Sequence, residues 1–197
     1  MIRIGFTGVP GSGKTSTARA LVSRLRNTKA FKHVELVQEY ARRYISKHGV
    51  PEQIWEQYRI TSKQIEWEDS VSNEKLDVLV TDSPIFLGFM YATEMNKLTS
   101  KDVMVYNDIF KLMTRLNHPT PRYDLILHLP PSMTPVDDGI RAAHHLDQAW
   151  RTDANQSILE TMKIFKPKNI VSIAATNIDD RVIECIDLLE RCWGDKK

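Results

Sequence analysis

Short apolar runs alternate along the chain with longer stretches in which apolar positions recur every three or four residues. Met1-Ile-Arg-Ile-Gly-Phe-Thr7, Val34-Glu-Leu-Val37, Leu76-Asp-Val-Leu-Val-Thr81, Tyr123-Asp-Leu-Ile-Leu-His-Leu129 and Asn169-Ile-Val-Ser-Ile-Ala174 predict five strands. The continuous apolar centre of the third fits burial on both faces of a parallel sheet. Helical spacing predicts helices over Thr17 to Leu25, Tyr40 to Lys47, Glu52 to about Ser72, Ile85 to about Glu94, Lys101 to Leu116, Arg151 to Phe165 and Asp179 to Trp193. In the long third helix Ile54, Trp55, Tyr58, Ile65 and Trp67 form an imperfect apolar face, which reads as core or pocket wall. This alternation implies right-handed crossovers and an α/β fold with helices on both faces of the sheet.

The 197 residues carry no internal repeat, low-complexity tract or linker, so one domain over residues 1–197 is expected. A formal charge of +2 announces neither a nucleic-acid binder nor a specialist in acidic substrates. Cys185 and Cys192 lie seven apart on one helical pattern, too far along it to bridge, and read as reduced core residues. No basic segment with an apolar run opens the chain, and no stretch approaches the roughly 18 apolar residues of a membrane span. A cytoplasmic location is therefore expected, with no membrane partner; composition leaves the oligomeric state open.

The first strand runs into Gly8-Val9-Pro10-Gly11-Ser12-Gly13-Lys14-Thr15, followed by Ser16, which satisfies the phosphate-loop pattern G-x-x-x-x-G-K-[ST] at every fixed position. Glycines let the backbone curl so that N–H groups face phosphate oxygens, Lys14 adds a point charge near the β and γ groups, and Thr15 offers a hydroxyl to Mg²⁺. Gly8, Pro10, Gly11, Ser12, Gly13, Lys14, Thr15 and Ser16 are thus the candidate ATP-binding residues. The second strand ends at Glu39 and the third at Asp82, and strand ends of this kind face the ligand crevice of an α/β sheet. Asp82 is the candidate second metal residue beside Thr15, or an N-cap of the next helix with Ser83 and Pro84, and both roles can coexist. Glu39 can take a proton from an acceptor hydroxyl or orient the acceptor, and Arg42, about one turn further, can grip an anionic group.

Residues 131 to 152 carry Asp137, Asp138, Arg141, His144, His145, Asp147 and Arg151 with few large apolar side chains, and read as a flap over the site. Arg141 and Arg151 bracket it, either as cations that close on the transferred phosphate or as solvated surface arginines. His144 and His145 point about 100° apart on a helix, which argues against a shared metal.

These stretches resemble the nucleoside and nucleotide kinase branch of P-loop proteins. Within it the chain is most similar to domains related to the ribosylnicotinamide kinase half of a bacterial NAD-salvage regulator, of a type often carried by bacteriophages. The residues carrying the resemblance are Gly8 to Thr15, Glu39-Tyr-Ala-Arg42, Thr81-Asp-Ser-Pro84, Tyr123 to Leu129 and Val136-Asp-Asp-Gly-Ile-Arg141. The resemblance implies strand order 2-3-1-4-5, ATP with Mg²⁺, lid arginines at Arg141 and Arg151, and an adenine-bordering loop at Thr176. It also implies catalytic roles for Lys14, Glu39, Asp82, Arg141 and Arg151, and transfer of a phosphoryl group to a nucleoside, a nucleoside monophosphate or ribosylnicotinamide. Two other readings stay open: a kinase acting on a hydroxymethylated base in DNA, and a non-kinase ATPase acting as a switch. An arginine follows the third-strand acid in many deoxynucleoside kinases, whereas Ser83 stands here, which weakens that particular assignment.

Overall fold

A computed structural model describes residues 1–72, 75–99, 102–132, 134, 145 and 147–193, the side chains of 96–99 excepted. Five strands form one parallel sheet: β1 (Ile2–Thr7), β2 (Val34–Val37), β3 (Val78–Thr81), β4 (Leu125–His128) and β5 (Ile170–Ser172). Their order is β2-β3-β1-β4-β5, as the resemblance implied. The helices between them are α1 (Lys14–Arg26), α2 (Tyr40–His48), α3 (Ile54–Val71), α4 (Phe86–Thr99), α5 (Val103–Leu116), α6 (Gln148–Phe165) and α7 (Ile178–Trp193).

Strand alternation builds two large cores among the described residues, with a smaller apolar cluster of Val37, Leu76 and Leu79 beside them. Ile4, Phe6, Val78, Val80, Leu125 and Leu127 point to the side covered by α1 and α7, packing on Ala18, Leu21, Cys185 and Leu189. Ile126 points the other way, toward Phe86, Met90, Ile109, Ile158 and Phe165 of α4, α5 and α6. Phe86 stacks on Phe165, their ring centroids 5.2 Å apart. Among the described residues no helix is long and apolar enough to cross a membrane.

Several ends differ from the sequence expectation for local reasons. β3 starts at Val78 because the Asp77 carboxylate accepts hydrogen bonds from the Lys32 and His33 amides and so closes the turn before β2. α6 starts at Gln148, capped by Asp147, which accepts from the Trp150 amide at 2.8 Å. Arg151 therefore lies buried in the first turn of this helix, which begins three residues earlier than its spacing predicts. The third helix buries Ile54, Gln57, Ile60, Thr61, Gln64 and Glu68, while Trp55 and Tyr58 are exposed, so its buried stripe is largely polar. Cys185 is buried and its thiol is pushed up to about 12 by desolvation, whereas Cys192 is exposed, against the expectation that both lie in the core.

Gly88 sets the approach of α3 to α4. A Cβ there would lie 2.1 Å from Thr61 Oγ1 and 3.2 Å from Thr61 Cβ. The Thr61 hydroxyl oxygen is buried without a hydrogen-bond partner, so it can be removed cheaply. Gly88→Ala is expected to cost about 1–3 kcal/mol of stability by overpacking, read as a lowered urea midpoint. Thr61→Ala in the same chain should return most of that loss.

Candidate functional site

The turn after β1 is built on glycines in left-handed conformations. Gly8, Gly11 and Gly13 have φ of 145°, 75° and 89°. At Gly8 a side chain is excluded by space as well, since a Cβ would sit 2.4 Å from the Leu129 carbonyl oxygen and 2.8 Å from Ser12 Oγ. Gly13 is the N-cap of α1, so the loop leads directly into a helix whose amide end favours an anion. Inside this turn the Lys14 ammonium donates to the carbonyls of Gly8 and Val9, at 2.7 and 3.0 Å.

Thr15 follows on α1, and its hydroxyl donates to Asp82 Oδ2 at 2.7 Å. The sequence thus named a pair separated by 67 positions that the fold joins directly. Asp82 is 3% exposed, and its second oxygen, Oδ1, is buried with no hydrogen-bond partner. Burial is the largest influence on this carboxyl and raises it above the usual aspartate value. The Glu39 charge raises it further, while Thr15, Lys14 and Arg42 act in the opposite direction. An orphaned, desolvated carboxylate oxygen beside a hydroxyl fits a hard divalent cation, so Thr15 and Asp82 suit Mg²⁺. No cluster of three or more His, Cys, Asp or Glu is arranged for a metal among the described residues, so the remaining ligands would be phosphate oxygens and water.

Glu39 is the N-cap of α2, and Arg42 lies in that helix's first turn. Both line a cavity of about 250 Å³ that reaches Pro10 of the glycine-rich turn. Ile45, Ile60, Tyr91 and Trp150 give it apolar wall. His145 packs on Trp150 with ring centroids 4.4 Å apart and also lines the cavity. Ile85, Phe86 and Phe89, which follow the third strand, are core residues, whereas Tyr91 lines the cavity.

Arg151 is 1% exposed on α6 and contacts Gln148 at 3.4 Å. Arg141 lies outside the described residues, as do 133, 135–144 and 146 of the expected flap. Ser16 is exposed at the start of α1, and Thr176 is exposed in the turn between β5 and α7. In that turn the Ala174 and Ala175 amides donate to Glu184 at 3.4 and 3.3 Å.

Two residues join the site without having been expected there. Arg181 of α7 is fully buried and donates to the Ser12 carbonyl at 2.6 Å and to the Ala175 carbonyl at 2.8 Å, tying the glycine-rich turn to the Thr176 turn. Its position four residues before buried Cys185 puts it on the core stripe of α7, and that spacing was the available signal. His128 closes β4 opposite Thr7, is 4% exposed and has a buried Nδ1 with no hydrogen-bond partner. Burial lowers its pKa, the Lys14 charge lowers it further, and the neighbouring Asn155 side chain opposes them.

A family model described as AAA domain matches residues 3–181. Similar solved structures include a NadR protein in complex with NR, with a TM-score of 0.72 at 20% identity over 96% of this chain and 51% of that one. The chain thus spans about half the length of that NadR protein. Thymidylate kinase from Ehrlichia chaffeensis gives a TM-score of 0.61 at 16% identity, over 96% of this chain and 98% of that one. Deoxyadenosine kinase from M. mycoides with bound dATP gives 0.62 at 12% identity, over 96% and 100%. At these identities the likeness is one of fold. No curated protein matches the chain.

Because the folded pKa of His128 lies below its unfolded value, the unfolded chain binds more protons between the two, and stability falls as pH drops through that window. From about pH 7.5 to about pH 5.5 the urea midpoint should therefore fall more steeply in the native chain than in His128→Gln. Parallel slopes in the two proteins would show that His128 is not held neutral by the fold.

Proposed function

The chain belongs to the AAA domain family, and on that basis we propose that it transfers the γ-phosphoryl group of ATP to a small acceptor of the nucleoside class, a nucleoside, nucleoside monophosphate or ribosylnicotinamide. The observation that carries this reading is the single cavity that brings Pro10 of the phosphate loop together with Glu39 and Arg42. A switch ATPase has no need of an acceptor cavity beside its phosphate loop.

In this reading Gly11 and Gly13 present backbone amides to the ATP phosphates while the Ser12 amide closes the turn onto the Val9 carbonyl at 3.1 Å, and Lys14 sets a positive charge within the loop. Thr15 and Asp82 would hold Mg²⁺, which when bound neutralises phosphate charge. Glu39 orients the acceptor hydroxyl and accepts its proton as the oxygen bonds to phosphorus. Arg42 adds a cation on the acceptor side, and the apolar walls from Ile60, Tyr91 and Trp150 favour a flat ring over water. Arg181 acts on the donor side by holding the Ser12 carbonyl, which fixes the loop on which the triphosphate rests.

Lys14→Ala should lower turnover by about 100-fold or more while the protein stays folded, measured as phosphoryl transfer beside a thermal melt. Glu39→Gln should lower transfer with the Kd for ATP changed by less than about twofold; an equal loss of ATP affinity would make Glu39 a donor-side residue instead. The deciding experiment is γ-labelled ATP offered with nucleosides, monophosphates, ribosylnicotinamide and hydroxymethylated DNA. Label on a small acceptor is the expected result. ATP consumed with no labelled acceptor would overturn the proposal in favour of a switch, and label in DNA would move the acceptor to a polymer.

A further inference from the structure

Behind the two carboxylates lies a buried chain of hydrogen bonds with a determinable direction. The Tyr40 amide, which follows Glu39 and opens α2, donates to Gln64 Oε1 at 2.8 Å. Gln64 Nε2 lies 3.3 Å from Thr81 Oγ1, at the residue before Asp82. Thr81 has one hydroxyl proton, for which Glu68 Oε1 at 3.3 Å is the nearer acceptor and the Ser83 carbonyl at 3.5 Å the further, so either way its oxygen is left to accept from Gln64. From the other side the Ile85 amide donates to the Tyr123 hydroxyl at 2.9 Å, which donates to the same Glu68 oxygen at 2.8 Å. Burial and the Glu68 charge raise the Tyr123 pKa well above that of an ordinary phenol, so the proton stays on the ring oxygen as this direction requires.

The far carboxylate oxygen, Glu68 Oε2, accepts from Arg122 Nε at 3.1 Å and lies 3.7 Å from Arg3. Glu68 and Thr81 are fully buried and Gln64 is 4% exposed. The amide orientation of Gln64 follows from its neighbours. A flipped side chain would turn its NH₂ toward the Tyr40 N–H, donor against donor, in a site with little water to relieve it.

We propose that Gln64 is a positioning residue that fixes the acceptor-side carboxylate Glu39 relative to the metal-side carboxylate Asp82, by bonding at once to the backbone after Glu39 and to the side chain before Asp82. The sheet alone does not set that separation. β2 is a four-residue edge strand whose last residue, Val37, pairs with Thr81, and Glu39 stands two residues beyond the ladder. Gln64 supplies the contact past the end of the pairing, and it lines the small recess that runs from Glu39 to Ser83. Thr15, Lys14 and the loop lie on the other side of Asp82, so the link bears on acceptor geometry and leaves ATP binding to the loop.

This inference uses the acceptor role of Glu39 proposed above, so its test has one arm that needs no activity. In Gln64→Leu, hydrogen exchange at the Tyr40 to Arg42 amides should speed up by about tenfold or more, with exchange across residues 8–17 unchanged. In the kinetic arm the same variant should lose about 10- to 100-fold in kcat with the best acceptor while the KM for ATP stays within about twofold. Thr81→Val, close in shape, cuts the link at its other end and should give the same split if Gln64→Leu fails to fold. Native-like exchange at Tyr40 in Gln64→Leu, or a fall in ATP affinity as large as the fall in acceptor turnover, would overturn the positioning role. Faster exchange at Tyr40 in a protein whose native form labels no acceptor would uphold the link and overturn the kinase reading instead.

Discussion

The glycine-rich loop and the side chains it positions depend on one packing constraint, the contact of the turn after β1 with the end of β4. Gly8 lies so close to the Leu129 carbonyl that no side chain fits, and its φ of 145° is one that L side chains rarely adopt. The Leu129 amide in turn donates to the Thr7 carbonyl at 2.8 Å, so the turn is seated on the sheet it leaves. From this seat the chain can enter α1 with Lys14 turned back onto the Gly8 and Val9 carbonyls and Thr15 turned toward Asp82. Arg181 then locks the turn from the opposite face through the Ser12 carbonyl. For the phosphate-binding role proposed above, a loop that is rigid before the ligand arrives has an advantage, because less reorganisation is needed at the moment of binding.

The second carboxylate side is held differently. Where the loop relies on backbone conformation, Glu39 and Asp82 rely on a buried polar assembly of Gln64, Thr81, Glu68, Tyr123, Arg122 and Arg3. Removing any one partner leaves another buried group unsatisfied, which is costly in a desolvated interior. The assembly also explains part of the polar inner stripe of α3: Gln64 and Glu68 occupy positions at which an amphipathic helix ordinarily places leucine or isoleucine. The two halves of the site meet at Asp82, which touches Thr15 on one side and is charge-coupled to Glu39 on the other.

Several features of this arrangement could be read before any coordinates. The five apolar runs became the five strands, and the helix after the phosphate loop buries Ala18, Leu21, Val22 and Leu25 as its spacing required. Asp82 at the end of the third strand and Glu39 at the end of the second stand where strand ends in a parallel sheet place ligands. The start of α6 was read three residues late, at Arg151, because the Asp147 cap that opens the helix is polar and breaks no apolar pattern. Trp55 and Tyr58, read as core or pocket wall, are exposed while Gln57 between them is buried. Ranking residues of that helix by hydrophobicity misplaced its inner face.

The sequence by itself marked the glycine-rich turn, because glycines at fixed spacing and a following helix are properties of consecutive residues, whereas the seat of that turn on Leu129 came from the fold. It also determined the strand–helix alternation, because periodicity is local. The tertiary structure alone decided that Arg181 would brace Ser12 from 169 positions away, and that Gln64 would bridge Tyr40 and Thr81 across 24 and 17 positions. A polar side chain at a core position carries no mark of its partner. Its identity becomes legible when the fold brings the complementary donor and acceptor within about 3 Å and removes the water that would otherwise satisfy both.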